Sequence, residues 1–129
     1  EFRRVLFRSV HSTDGSFSLV PGALSATGTV GGIWAEAPNN VYFAADTNIF
    51  HYDGSTYTKT ATAVTGLRAI SGERSEVWAV GNGGAVLHYD GLSWNQVETG
   101  TRHDFYGIFL SPSNQFLVGD FGTVLSTPR

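Results

Sequence analysis

The residue types in this chain that are best suited to chemistry recur in one short pattern. Residues 51–57 and 88–94 both read His-Tyr-Asp-Gly, followed by two variable positions and an aromatic residue. An imidazole can ligate a metal ion or move a proton, and an aspartate can bind a cation. A metal site needs several converging ligands, however, and one histidine per repeat gives no local cluster. We therefore predict structural roles for His51 and His88, no metal site and no cofactor.

The Asp-Gly pair inside each pattern indicates a tight turn. An aspartate carboxylate can accept hydrogen bonds from backbone N–H groups of its own turn, and glycine adopts positive φ without a steric penalty. Calcium binding would require further oxygen ligands in the same loop. We therefore predict that Asp53, Gly54, Asp90 and Gly91 are structural turn residues.

An aromatic residue, Tyr57 or Trp94, closes each pattern at the start of the next predicted strand. There a ring can cover the hairpin as part of the core, which is the interpretation that we favour. The same position near a sheet edge also allows a ring to stack on the face of a sugar. Tyr57 and Trp94 are therefore kept as candidate ligand-stacking residues.

Catalytic motifs are absent from the sequence. It contains no Gly-x-Ser-x-Gly elbow, no Gly-rich loop ending in Lys-Ser/Thr and no His-Glu-x-x-His. The glycine-rich string 81–84 joins two predicted strands, so no helix N-terminus follows it to hold a phosphate. The carboxylates are too scattered to nominate an acid/base pair. We predict no catalytic residues and a protein that is not an enzyme.

The composition of the chain limits the classes of partner that we expect. Eight basic against eleven acidic residues give a net charge of −3, without the basic stripe that is typical of nucleic-acid-binding proteins. Apolar runs stay below the roughly 18 residues that a membrane-spanning helix needs. The chain has no cysteine, so disulfides and thiolate chemistry are excluded. We expect neither a nucleic-acid partner nor a membrane span.

The elements that must position these residues repeat with a period of 37 or 38 residues. The clearest unit, 67–103, predicts strands at 67–71, 76–81, 85–89 and 93–98, and Asn82 and Gly83 are expected to supply the positive φ angles of its central hairpin. Units of four antiparallel strands are typical of propeller blades. We therefore predict an all-β fold, a partial β-propeller of about three four-stranded antiparallel blades.

Five segments are predicted along the chain. Residues 1–9 carry three arginines and differ from the rest, so we interpret them as a non-native N-terminal remnant. Residues 10–31 are expected to hold the tail of a preceding blade and a connector. Segments 32–66 and 67–103 are predicted blades, and 104–129 an incomplete one. Because a propeller closes with about 4 to 8 blades, we expect a piece of a longer protein.

The strings 80–87, 90–94 and 118–125 resemble the repeats of bacterial Asp-box (BNR-like) propellers and are similar to photosystem II assembly factor-like propellers. The resemblance covers residues from about 10 to 127. It differs from the Asp-box pattern Ser/Thr-x-Asp-x-Gly-x-x-Trp in that Asp and Gly are adjacent and histidine replaces Ser/Thr. Sialidases of this kind also need an arginine cluster and a tyrosine nucleophile, so the resemblance implies no hydrolase activity here.

The sequence leaves three candidate functions. The first is a non-catalytic binding or scaffolding module of a larger bacterial protein, extracellular or in the cell envelope, whose partners are the remaining blades and a protein or glycan ligand. The second is a carbohydrate-binding, lectin-like propeller that uses Tyr57 and Trp94. The third, which we favour least, is a fragment of an Asp-box glycoside hydrolase.

Overall fold

The computed structural model describes residues 9–12, 15, 17–20 and 28–129. The regular structure of these residues is β-strand, apart from two 3₁₀ turns at Asn82–Gly84 and Asp120–Gly122. In chain order their strands are β1 (Ser9–Ser12), β2 (Phe17–Val20), β3 (Val30–Ala37), β4 (Asn40–Ala45), β5 (Asn48–Tyr52), β6 (Tyr57–Ala61), β7 (Leu67–Glu73), β8 (Glu76–Gly81), β9 (Val86–Tyr89), β10 (Trp94–Gln96), β11 (Phe105–Leu110), β12 (Asn114–Gly119) and β13 (Val124–Pro128).

The strands form antiparallel sheets in which each strand pairs with its neighbour along the chain. β1 and β2 form a hairpin, β3 to β6 form sheet 1, β7 to β10 form sheet 2, and β11 to β13 form sheet 3. The prediction of an all-β fold made of antiparallel units is therefore confirmed. Sheet 1 begins at Val30, inside the segment that was predicted to be a connector.

The predicted remnant at the N-terminus concerns residues that lie outside the described ones, except for Ser9, which opens β1. Most of the predicted connector, 21–27, also lies outside them. The hairpin of β1 and β2, which joins Ser12 to Phe17, occupies the place where the tail of a preceding unit was expected.

The three larger sheets stack face to face, with sheet 2 in the middle. One buried cluster joins Ala44 and Ile49 of sheet 1 to Ile70 and Leu87 of sheet 2. A second joins the opposite face of sheet 2 to sheet 3 (Val80, Val86, Phe105 and Leu117). Successive strand residues point to opposite faces of a sheet. Both faces of β8 are covered by neighbouring sheets, so residues 77–80 form a continuous apolar run in the sequence.

The sheets approach one another most closely at their first strands. β7 lies between β3 and β11, and its neighbours along β3 are glycines. A Cβ added at Gly31 would lie 2.6 Å from the Cα of Arg68, and one at Gly32 would lie 3.0 Å from the Cα of Ala69. Among the described elements, the closely packed pairs of strands from different sheets do not include the last strands, β6 and β10. The stack is therefore wedge-shaped and opens towards β6 and β10.

The hairpin between β8 and β9 differs from the prediction at Asn82. Positive φ angles occur at Gly83 (64°) and Gly84 (77°), not at Asn82. The connection has four residues, 82–85, instead of two. Its first three form a 3₁₀ turn, in which the left-handed residues lie one position further along the chain. Asn82 instead donates its backbone N–H to the Gly66 carbonyl and accepts a hydrogen bond from Arg68.

The outer face of sheet 3, which points away from sheet 2, is apolar and exposed. Val118 and Val124 are cross-strand partners on this face, 45% and 64% exposed. The equivalent pairs are buried, Val80 and Val86 in sheet 2 at 0% and 1%, and Ala44 and Ile49 in sheet 1 at 0% and 1%. In both of those sheets the next sheet along the chain covers the pair.

Candidate functional site

A cleft opens between sheets 1 and 2 on the wide side of the wedge. It has a volume of about 500 Å³, and we call it the aromatic cleft. Its lining residues come from five strands (β4, β5, β6, β9 and β10) and the loops that follow β6 and β9: Tyr42, His51, Thr58, Thr60, Ala61, Thr62, Ala63, Leu87, Tyr89, Leu92, Ser93, Trp94 and Gln96.

Strand register places the aromatic side chains of this cleft. Tyr42 and His51 are cross-strand partners on the face of sheet 1 that is turned towards sheet 2. Tyr89 and Trp94 are cross-strand partners on the facing side of sheet 2. Directly opposed residues in an antiparallel pair bring their side chains to the same face, so each sheet contributes one ring pair.

The rings contact one another across the gap. The Tyr42 centroid lies 6.1 Å from that of Tyr89 and 6.4 Å from that of Trp94, the latter at an edge-on angle of 71°. Within the sheets, Tyr42 lies 4.4 Å from His51 and Tyr89 lies 5.3 Å from Trp94. The pKa of the Tyr42 hydroxyl is raised, mainly by burial and to a smaller extent by the nearby Tyr89 and Glu36. It therefore stays protonated, able to donate a hydrogen bond, at neutral pH.

Hydroxyl and amide side chains line the edges of the cleft. Thr58 and Thr60 are exposed on β6, and Ser93 and Gln96 are exposed on the opposite side. Thr62 is already engaged, since its hydroxyl contacts the carbonyls of Thr47 and Val64 at 2.9 and 3.1 Å. Within the described part of the chain, no Asp, Glu, Lys or Arg lines this cleft.

The two predicted ligand-stacking residues face different sides of the stack. Trp94 lines the aromatic cleft. Tyr57 stacks on Tyr52 at 4.6 Å and packs near Phe43 and Phe50, on the face of sheet 1 that is turned away from sheet 2. The two positions are equivalent in the repeat. Each ring points towards the side of the preceding unit, which for Trp94 is sheet 1. Tyr42, which sequence reasoning missed, supplies the second large ring.

The Asp-Gly turns adopt the same geometry in sheets 1 and 2. The Asp53 carboxylate accepts the backbone N–H groups of Ser55 and Thr56, both at 2.8 Å. The Asp90 carboxylate accepts those of Leu92 and Ser93 at 2.8 and 2.9 Å. These hydrogen bonds lower the pKa of both carboxyl groups. The following glycines, Gly54 and Gly91, have φ angles of 99° and 96°.

Each histidine of the repeated pattern lies against an aromatic ring of the neighbouring strand. His51 also shares a hydrogen bond of 2.7 Å between its Nε2 and the Oδ1 of Asn40. His88 stacks on Trp78 at 4.1 Å, and its Nε2 lies 3.9 Å from the Oε2 of Glu76, beyond hydrogen-bond distance. A search of the described residues finds no group of three or more His, Cys, Asp or Glu side chains that could hold a metal ion.

A second cleft, of about 460 Å³, lies between sheets 2 and 3, and sequence reasoning did not find it. Three buried side-chain atoms in its lining have no hydrogen-bond partner among the described residues: Nε1 of Trp78, Nε2 of His88 and Oε1 of Gln115. Arg129 closes one side by pairing with Glu73 and Glu76. The hydrogen bond from Arg129 lowers the pKa of Glu76.

Comparison with protein-family models, with curated proteins and with solved structures finds no match for this chain. In the described part of the chain there is no helix with the length and hydropathy that crossing a membrane requires.

Proposed function

We propose that the chain is a run of consecutive blades of a larger bacterial β-propeller and acts as a non-catalytic binding or scaffolding module. The observation that carries the proposal is the repetition of one interface. Sheet 2 packs on sheet 1, and sheet 3 packs on sheet 2, through side chains at equivalent cross-strand positions. Face-to-face stacking of antiparallel meanders with their first strands innermost is the arrangement of propeller blades.

The exposed outer face of sheet 3 supports a further blade beyond it. Val118 and Val124 expose the positions that the next sheet buries in sheets 1 and 2. Phe109 and Phe116 extend the same face and are 62% and 39% exposed. An apolar sheet face of this kind is typical of an interaction site. We propose that another sheet of the same plan, from the same longer chain, covers it.

Six carboxylates of the described region support a module without catalysis, because those of Asp53 and Asp90 hold turns and four others link neighbouring segments or sheets. Asp46 accepts the Gly66 N–H at 3.0 Å and Asp104 accepts the Gly83 N–H at 2.7 Å, each from a neighbouring hairpin or linker. Glu73 and Glu76 pair with Arg129. A glycoside hydrolase requires two carboxyl groups that flank one bond. Among the described residues, no aspartate or glutamate lines the aromatic cleft.

Cysteine labelling tests the proposed propeller, because the chain has no cysteine of its own. Val124→Cys is expected to react readily with a maleimide in the 129-residue chain. In the longer natural protein, freed of any other cysteine, a covering blade should slow the reaction at least about tenfold. Leu92→Cys, at a position that is 91% exposed, is the matched control and should react equally in both chains.

Equal labelling of Val124→Cys in the two chains would show that no blade covers sheet 3 and would remove the propeller proposal. Turnover of a glycoside by the longer protein, lost on substitution of a residue in the described sheets, would contradict the non-catalytic role.

A further inference from the structure

We propose that the aromatic cleft binds a neutral saccharide, an inference that rests on the proposed function in taking the chain as a binding module. The site combines ring faces from two adjacent sheets with uncharged hydrogen-bonding groups at its edge. The volume of about 500 Å³ lies within the range of ligand pockets and suits a mono- or disaccharide.

The rings supply the apolar part of the recognition. A pyranose has C–H groups on its faces and hydroxyl groups around its edge, so it fits a surface that is aromatic in the centre and polar at the rim. Trp94 and Tyr89 form one wall, and Tyr42 approaches Trp94 edge-on from the other sheet. Aromatic contacts of this kind are held by apolar area and by the electrostatics of the ring. Trp94 is the largest of the three and is expected to be the main platform.

The rim supplies donors and acceptors for the hydroxyl groups. Thr58 and Thr60 lie two residues apart on β6, and β6 is an edge strand of sheet 1. Because side chains alternate along a strand, both hydroxyls face the cleft. Ser93 and Gln96 approach from sheet 2. Each of these four side chains can both donate and accept a hydrogen bond, as a sugar hydroxyl does.

The charge of the lining residues determines which class of saccharide the cleft can bind. A carboxylate-bearing sugar would need a cationic group in the site. The lining residues of the described chain include no arginine or lysine, and the Nε2 of the lining His51 already shares a hydrogen bond with the Oδ1 of Asn40. They include no aspartate or glutamate either, so the cleft lacks the pair of carboxyl groups that would cleave a glycosidic bond. The chemistry therefore favours binding of an uncharged sugar without its hydrolysis.

Saturation-transfer NMR with simple glycosides tests the inference on the 129-residue chain. The neutral probes are methyl β-D-glucopyranoside, methyl β-D-galactopyranoside and methyl N-acetyl-β-D-glucosaminide, and the charged probe is methyl β-D-glucuronide. At least one neutral probe is expected to bind, and the glucuronide should bind at least about tenfold more weakly, because its carboxylate meets no cation.

Matched variants locate the site. Trp94→Ala is expected to weaken binding at least about tenfold, as loss of an aromatic anchor does. Tyr57→Ala removes the equivalent ring outside the cleft and should leave the affinity unchanged. Thr60→Val keeps the shape and the fold of an exposed strand position while deleting one hydroxyl, and should weaken binding about threefold. Circular dichroism checks that each variant is folded.

Absence of binding by all neutral probes to the folded chain would overturn the saccharide inference, as would equal losses for Tyr57→Ala and Trp94→Ala. Such a failure is distinct from failure of the proposed function: protection of Val124→Cys in the longer protein would leave the propeller in place with the wrong ligand class. Tight binding of the glucuronide alone would also overturn the inference.

Discussion

Phe105 and Phe109 lie on the same strand and offer a direct measure of how much the stacking of sheets 2 and 3 stabilises the protein. Phe105 is fully buried, at 0% exposure, in the cluster with Val80, Val86 and Leu117. A buried phenylalanine removes about 150–250 Å² from water, which is worth about 4–6 kcal/mol as an upper value. Core Phe→Ala substitutions cost about 3–5 kcal/mol. We expect about 4 kcal/mol of lost unfolding free energy for Phe105→Ala.

Phe109→Ala makes the same chemical change on the outer face of sheet 3, where the side chain is 62% exposed. Only about two fifths of its surface is buried, so the same arithmetic gives at most about 2 kcal/mol. No closed cavity forms at an exposed position, so we expect about 1 kcal/mol. The difference between the two variants should therefore be about 3 kcal/mol.

Urea denaturation of the wild type and both variants, followed by tryptophan fluorescence, gives the two free-energy differences if the m-value is unchanged. Equal costs for Phe105→Ala and Phe109→Ala would refute the face-to-face stacking of sheets 2 and 3. If the proposed further blade covers sheet 3 in a longer protein, Phe109→Ala should cost about 3 kcal/mol there. That change, measured with the same two variants, is an independent check on the proposed propeller.

Two further predictions concern the turns. Gly84→Ala should lower the free energy of unfolding by at least about 3 kcal/mol, because φ is +77° and a new Cβ would lie 2.1 Å from the Thr101 carbonyl oxygen. The neighbouring Gly83→Ala, with open space at its Cβ, should lower it by only about 1–2 kcal/mol. Urea denaturation midpoints of the two variants compare these losses. Asp53 and Asp90 have lowered pKa values in the folded state, so their turns should stabilise the protein fully above the unfolded pKa of about 3.9 and lose that effect as pH falls through the folded values. The double Asp→Asn variant should flatten the loss of stability below about pH 4; an unchanged pH profile would contradict the role of the two carboxylates.

Local chemistry made the turns predictable. The Asp53 carboxylate bonds to N–H groups only two and three residues ahead, so every partner lies inside the pattern that the sequence displays. The strands of sheet 2 were predictable for a similar reason, since alternation and turn residues are properties of short segments. The positive φ expected at Asn82 was wrong. The connection is four residues long and its left-handed residues are Gly83 and Gly84, while the Asn82 N–H bonds to the Gly66 carbonyl.

The candidate site was only half predictable. Trp94 was identified from its place in the repeat, and so was Tyr57, but a repeat position does not show which sheet lies in front of it. Tyr42 was missed because its partner across the cleft, Trp94, is distant in the sequence. Gln115 was missed because the sequence of its strand does not indicate that a polar side chain is buried against sheet 2.

The sequence by itself therefore determined the strands, their antiparallel order and the Asp-Gly turns, because each depends on hydrogen bonds and side-chain alternation within a few residues. Only the tertiary structure decided which faces meet, which clefts open between them and which apolar face stays exposed. Those features depend on the distance and tilt between sheets, and both are set by contacts such as that of Gly31 with the backbone at Arg68, which no local pattern encodes.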